Sequence, residues 1–399
     1  MLHNRWGILK RKGVFMSLIE EALALGERLT ELRRKLHACP EIGFDLPKTM
    51  EILSDALKES SISHATAGGC LVAHIGPREG AGILLRADCD GLPIREETDL
   101  PFAAKNGSMH ACGHDMHMTA VLGAAMLLKR HEERLTRPVR LLFQPAEELL
   151  MGAQDGIAHG VCDSITEAYT LHVTVGSELK TGTVILPPEG VTAPSADFFE
   201  ITVQGKGCHG ADPASGRDPL VAAAQIVLSL EHIPAREFPR SARAALTVGC
   251  LQGGDSHNVI PDSALLKGSL RCYDEEFCRR LKERVVEICA GISTAYRVTA
   301  SATFPTGCPS LINDKALRDQ AKGLLSETLQ DRFFEVTPPS GTAGSEDFAF
   351  ISRTVPSLML AISAGDSPYP LHHPRVIFDE ECLPYGTAAL ATMVLKQRL

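Results

Sequence analysis

The chain lacks any apolar run of the roughly 18 residues that a membrane helix requires. It also lacks a block of like charge. Its 40 basic and 49 acidic residues, net −9, are spread along the chain, which argues against nucleic acid or an anionic membrane as partner. None of the 12 cysteines forms a Cys-x-x-Cys pair, so neither a thiol-redox motif nor a small disulfide framework is expected. Scattered cysteines in a chain of 399 residues imply reduced thiols, mostly buried, and a cytoplasmic protein. No G-x-S-x-G elbow and no P-loop occurs, which leaves serine hydrolase and NTPase chemistry without support. The basic N-terminus runs into an apolar patch, but Glu20 and Glu21 interrupt it before it is long enough for a signal peptide. Residues 1–16 are expected to form a loose extension, with Met16 a candidate start.

What remains is an ordinary globular composition, 44% hydrophobic and 22% charged, in a chain too long for one core. Leu18, Ala22, Leu25, Leu29, Leu32 and Leu36 recur at steps of three and four, predicting one helix over 18–37. A second helix near 47–60 precedes strands at 71–75 and 82–87. A helix at 115–131, a strand at 139–143, a short helix and a strand at 168–171 follow. Apolar strands alternating with helices, with polar residues collecting past the strand ends, predict a mainly parallel α/β sheet with a site at its carboxyl edge. Near residue 190 a cluster of prolines and glycine breaks this grammar. Beyond it the order strand 197–204, helix 218–232, strands 244–251 and 263–273, helix 275–293 and strand 296–304 predicts a ferredoxin-like βαββαβ unit. Helix 314–329, a strand at 357–362 and a helix at 380–397 then return to the first domain. The expected division is 17–193 with 306–399 around an inserted 194–305.

Chemistry concentrates in Ser108-Met-His-Ala-Cys-Gly-His-Asp-Met-His-Met-Thr119, which gathers His110, Cys112, His114, Asp115 and His117 ahead of a strong helix former. In loop backbone Cys112 and His114 point to one side, and Asp115 is expected to cap the helix. Two acids, Asp88 and Asp90, leave the strand at 82–87. Glu147 and Glu148 follow a strand and a proline, where neighbouring side chains diverge. One carboxylate can then bind metal while the other faces the water that the metal activates. His172 ends a strand, and His372-His373-Pro374 lies in a proline-rich loop. A set of Cys, His, Glu, His and a further His suits two divalent ions of borderline softness: zinc, cobalt, nickel or manganese. Gly205-Lys-Gly207-Cys-His-Gly210 imitates a dinucleotide loop, but Asp212-Pro213 and Asp218-Pro219 delay the helix that such a loop must open.

Eight segments occur in a fixed order: Asp88-Cys-Asp-Gly-Leu-Pro, His110-Ala-Cys-Gly-His-Asp, Gln144-Pro-Ala-Glu-Glu, Leu171-His-Val, Gly205-Lys-Gly-Cys-His, His257-Asn-Val-Ile-Pro, Gly344-Ser-Glu-Asp-Phe and Leu371-His-His-Pro. In these the chain resembles the aminoacylase and carboxypeptidase metallopeptidases, in the branch of hippurate hydrolases, N-acetyl-amino-acid deacetylases and auxin-conjugate hydrolases. The resemblance implies a dimetal site of Cys112, His114, Glu148, His172 and His372, the last chosen over His373 by its place two before the proline. It implies Glu147 as general base and acid, and Asp90 as an orienting residue that binds no metal. The inserted domain would be lid and homodimer surface. His209 would reach the partner's site to stabilise the oxyanion, with Asn258 near the substrate; Arg271 is a candidate for the substrate carboxylate. The implied reaction cleaves the amide of a small N-acyl amino acid. The alternatives are a dipeptidase or carboxypeptidase with the same site, and a metal-binding protein without turnover. The chain departs from the family at Leu149-Leu-Met151, where a glycine run is usual, and at Cys208, where glycine is usual; both bear on substrate rather than on activity.

Overall fold

The computed structural model describes residues 16–239, 242–337 and 344–395. The N-terminal extension, apart from Met16, and the expected helix beyond residue 395 lie outside them.

Ser17 opens the first helix through a capping box with Glu20, each satisfying the other's free backbone N–H. The stretch read as one helix is two, α1 (Leu18–Leu23) and α2 (Gly26–His37), separated at Ala24 and Leu25. Gly26 costs an uninterrupted helix about 1 kcal/mol relative to alanine. The leucine spacing survives the break because both pieces bury Leu18, Leu25, Leu29, Leu32 and Leu36 in the same core. Then come α3 (Pro47–Glu59), β1 (Ser63–Ala67), β2 (Cys70–Ile75), β3 (Gly82–Asp88), α4 (His114–Arg130), β4 (Val139–Gln144), α5 (Gly152–Ala158), β5 (Ile165–Thr174) and β6 (Val184–Leu186).

A second run follows: β7 (Gly190–Ala193), β8 (Ser195–Gln204), β9 (Cys208–His209), α6 (Pro219–Arg236), β10 (Ala244–Gln252), β11 (Val259–Ile260), β12 (Ser263–Cys272), α7 (Glu275–Tyr296) and β13 (Thr299–Cys308). The chain closes with β14 (Leu311–Asn313), α8 (Lys315–Leu329), β15 (Phe333–Glu335), α9 (Phe348–Thr354), β16 (Ser357–Ser363) and α10 (Leu383–Leu395). The last of these starts later than expected, after a short 3₁₀ turn at Glu380–Cys382 and with Pro384 in its first turn, where a missing N–H is harmless.

The large sheet runs β1-β2-β4-β3-β5-β16-β6-β15 and is mainly parallel. Its centre, β4-β3-β5, is parallel throughout, so three carboxyl ends open side by side. Strand β3 is buried at every position, as a strand covered on both faces must be. Helix α4 is buried almost along its whole length, packed on α2, α10 and β3. A second sheet, β10-β12-β8-β13, is antiparallel, and α6 and α7 bury a separate apolar cluster around Phe199, Ile226, Leu266 and Leu281 against it. The breaker cluster near residue 190 contains a strand that the sequence did not suggest: β7 pairs antiparallel with β14, so the two crossings between the sheets are bonded to each other. Asn313 fastens that pair to the large sheet, its side chain donating to Met359 O and accepting from Met359 N.

Candidate metal centre

The central strands deliver the site. Asp88 closes β3 and Asp90 stands just past it, the Glu147-Glu148 turn lies past β4, and His172 is near the end of β5. Helix α4 enters through Gly113 at φ 87°, a conformation in which glycine carries no strain, and a Cβ there would lie 2.3 Å from Val173 Cγ2. Gly113 is therefore the N-cap residue of α4, and the expectation that Asp115 caps the helix is overturned. Asp115 lies one residue inside the helix, fully buried, and accepts from Arg33 Nε at 2.7 Å and His37 Nδ1 at 2.8 Å. These partners hold the first turn of α4 in place, and with it His114.

The glutamate turn is clamped from below. Asp90 accepts from Glu147 N at 3.0 Å with one oxygen and from Glu148 N at 3.2 Å with the other. Its backbone carbonyl takes the His114 Nδ1 proton at 2.8 Å, leaving His114 Nε2 as the free lone pair. His172 is fixed in the same sense, Nδ1–H donating to Val173 O at 2.7 Å. The backbone N–H of His372, at φ 65°, donates to Ala111 O at 2.9 Å and ties the 367–374 loop to the residue before Cys112. His373 is turned away: its ring stacks on Tyr369 and its Nδ1 accepts from Arg375 N.

The structure brings Cys112, His114, Glu148, His172 and His372 together in two triads that share one sulfur. Cys112, His114 and His172 form one, and Cys112, Glu148 and His372 the other, their ligand atoms within 4.8 Å of one another. Cys112 Sγ is 3.5 Å from His172 Nε2, and Glu148 Oε1 lies 3.5 Å from His372 Nε2 and 3.8 Å from His114 Nε2. Glu147 Oε2 is 3.9 Å from His114 Nε2, while its other oxygen receives Asp347 N at 3.4 Å.

The electrostatics suit cations. His114 Nε2 and Glu148 Oε1 are buried with no hydrogen-bond partner, a cost of about 1–3 kcal/mol each that a bound cation would remove. Burial lowers His172 to about 3, with His117 adding to the shift, so the ring is neutral as a ligand must be. His372 is lowered too, by burial and then by His114. His114 is the exception: burial opposes its charge, but Asp88, Asp90 and Cys112 raise it, so positive charge is drawn to its Nε2 position. Burial pushes the Cys112 thiol up, and an adjacent cation is what would favour the thiolate. Burial, joined by Glu346, Asp347 and Glu148, holds Glu147 well above the usual carboxylate range.

Three sequence-identified residues lie elsewhere. His209 and Asn258 meet on the two-stranded β9/β11 ribbon, where Gly210 N donates to Asn258 O at 2.7 Å; both side chains are exposed, and neither joins a ligand group among the described residues. Arg271, on β12, donates to Ser345 Oγ at 2.8 Å, linking the antiparallel sheet to the 344–348 loop. The sequence reading missed Arg86. It is buried and donates to Gln144, Asp88, Glu346 and Asp347 at 2.8–3.0 Å. A lone arginine inside the otherwise apolar run 82–87 was the signal available for it.

Residues 84–396 match the description Peptidase family M20/M25/M40. The chain is similar to the N-acetyl-L-cysteine deacetylase of Bacillus subtilis, 37% identical over 363 residues that cover 90% of this chain and 85% of that one. It is similar also to IAA-amino acid hydrolase ILR1-like 4 of Arabidopsis thaliana, 34% identical over 382 residues, covering 92% and 85% of the two chains. Among solved structures it resembles a dinuclear metal-binding peptidase of the M20 family from Bacillus subtilis, with TM-score 0.77 and 32% identity over 94% of this chain and 98% of the other.

Proposed function

Since the chain belongs to peptidase family M20/M25/M40 and is a hydrolase, we propose that it cleaves the amide bond of small N-acyl amino acids, releasing a carboxylate and a free amino acid. The observation that carries this reading is the Glu147 carboxylate beside two ligand triads that share Cys112. A scaffold that only stored metal would have no need of such a group.

Cys112, His114, Glu148, His172 and His372 are taken as ligands to two divalent ions, zinc, manganese, cobalt or nickel. When bound, such ions supply Lewis acidity, which polarises an acyl carbonyl and lowers the pKa of water from 15.7 to about 7. Glu147 takes the proton of the attacking water and returns it to the departing amine. A buried carboxyl held above its usual range suits both halves of that task. Asp90 keeps Glu147 and Glu148 diverging by gripping both of their peptide N–H groups. His209, carried into the site by a partner subunit, neutralises the oxyanion, and Asn258 stands near the substrate. Arg271 exchanges Ser345 Oγ for the carboxylate of the amino acid.

Residues 17–193 and 306–399 are read as the catalytic domain and 194–305 as a ferredoxin-like lid. The lid forms a homodimer through its sheet edge and the face of α6, where Val221 and Leu228 are exposed. All twelve cysteines are free thiols, which supports a cytoplasmic location. No helix among the described residues is long and apolar enough to cross a membrane.

Metal analysis followed by a substrate panel tests the function. The purified protein is expected to hold two divalent ions and to hydrolyse some of the N-acetyl, benzoyl or indole-acetyl amino acids in preference to dipeptides. Preference for dipeptides would make it a peptidase on the same site. Metal binding with no hydrolysis of any member would leave it a metal-binding protein without turnover.

A further inference from the structure

Asp88, His114 and His117 form another cluster of potential metal ligands at the edge of the two triads. The atoms that Asp88 and His117 offer it are already committed. Val173 N–H can only donate, and it does so to His117 Nε2 at 2.9 Å. His117 Nδ1 therefore carries the ring proton, which it donates to Asp88 Oδ1 at 2.7 Å. The other Asp88 oxygen accepts from Arg86 Nη1 at 2.8 Å. Both residues are buried, so water does not compete for these bonds. With both ring nitrogens occupied, His117 has no lone pair for a cation.

What it has instead is a route to one of the ligands. Val173, whose N–H donates to His117, also accepts the Nδ1 proton of His172 at 2.7 Å, through the carbonyl on the other side of its Cα. Hydrogen bonds thus link Arg86, Asp88, His117 and the Val173 N–H, and the Val173 carbonyl, one Cα further on, holds His172, whose Nε2 lies 3.5 Å from Cys112 Sγ. The His117 and His172 rings are 4.4 Å apart between centroids, so the relay is also in packing contact with the ring it orients.

We infer that Asp88 and His117 are positioning residues for the ion bound by Cys112, His114 and His172, acting on His172 by fixing the Val173 backbone; the inference rests on the metal-centre reading above. An ionised Asp88 makes His117 Nε2 a stronger acceptor. That anchors the Val173 backbone from its N–H side, and the Val173 carbonyl, set by the same Cα, holds the His172 Nδ1–H so that Nε2 faces the metal in one orientation. Asp88 thus differs from Asp90, which acts on the backbone of the glutamate turn.

The test measures binding of zinc alone, by chelator competition, in the full-length protein and three variants. His117→Phe fills the ring's space without nitrogens. His117→Gln replaces the imidazole with an amide that can still donate to Asp88 and accept from Val173 N–H. Asp88→Asn keeps an acceptor oxygen but removes its charge, and it carries the test should His117→Phe not fold. His117→Phe is expected to weaken one of the two ions by about 10–100-fold and to leave the other unchanged. His117→Gln should restore most of that loss, and Asp88→Asn should weaken the same ion several-fold. In the cobalt-loaded protein the thiolate-to-metal absorption should shift in His117→Phe and return in His117→Gln. Equal losses in the Phe and Gln variants would show that affinity does not follow the ring's hydrogen bonds and would overturn the relay. So would wild-type affinity for both ions in His117→Phe, or in Asp88→Asn where that variant stands in for it. A wild-type protein that binds no divalent ion would sink the metal-centre reading itself, and the relay with it.

Discussion

Cys112 and Glu147 both border His114 and Glu148 but should fail in different ways. Cys112 belongs to both triads, so Cys112→Ala removes a ligand from each. Metal content measured after gel filtration is expected to fall well below that of the wild type, and full occupancy would take Cys112 out of the ligand set. Glu147 belongs to neither shared-sulfur triad. Glu147→Gln should keep the metal and lose about 10²–10⁴ in kcat, the usual worth of a positioned acid-base group. Unchanged turnover would remove Glu147 from its role. At this scale residue chemistry made much of the site legible: a cysteine and a histidine two apart, a glutamate doublet past a strand, and histidines at a strand end and in a proline-rich loop. Partnership was not legible. Asp88 and Asp90 look alike in sequence, and only the fold turns one toward Arg86 and His117 and the other toward two peptide N–H groups.

Among the elements, α4 carries the sharpest prediction. Gly113→Ala places a methyl group 2.3 Å from Val173 Cγ2 at a backbone φ of 87°. Left-handed strain and overpacking together should cost roughly 2–5 kcal/mol. Denaturant unfolding of the metal-free protein should show that loss, and stability within 1 kcal/mol of wild type, on the order of one ordinary surface substitution, would contradict it. Long periodic segments such as α7 and α8, and the apolar β3 and β4, were readable because their burial repeats often enough to form a pattern. Strands of three residues such as β6, β14 and β15 were not, because no alternation can be seen in three positions. The break between α1 and α2 was hidden for the opposite reason: its leucine spacing runs through unaltered.

The whole molecule should report its metal through pH. Burial pushes Glu148 up to about 7 against the pull of His114, with Asp90 and Asp88 adding to the rise. Burial likewise raises Asp347 to about 8, opposed by Arg86 and supported by Glu346. An acid raised in the native state holds a proton that the unfolded chain releases near pH 4, roughly the usual carboxylate value. Stability therefore falls as pH climbs from that value toward the native pKa. Chelated protein should lose stability across this window. Zinc-loaded protein is spared the part due to Glu148, whose charge the cation neutralises. The gap between the two thermal midpoints is expected to widen most steeply up to about pH 7, the raised Glu148 value, and less steeply beyond it, where Cys112 and His114 still give up protons to the cation. A gap that stays constant from about pH 5 to 8 would contradict this account.

At the same scale, β7 and β14 form a two-strand stalk that Asn313 rivets to the large sheet. Rotation about the length of such a stalk would tear its cross-bonds, whereas tilting beyond its tip would not. Any pivot would thereby be confined to the short stretches just past it, where Leu150, Ala196 and Cys308 pack together. Whatever that second sheet presents to the candidate metal face, it would present by leaning, at one azimuth, rather than by spinning.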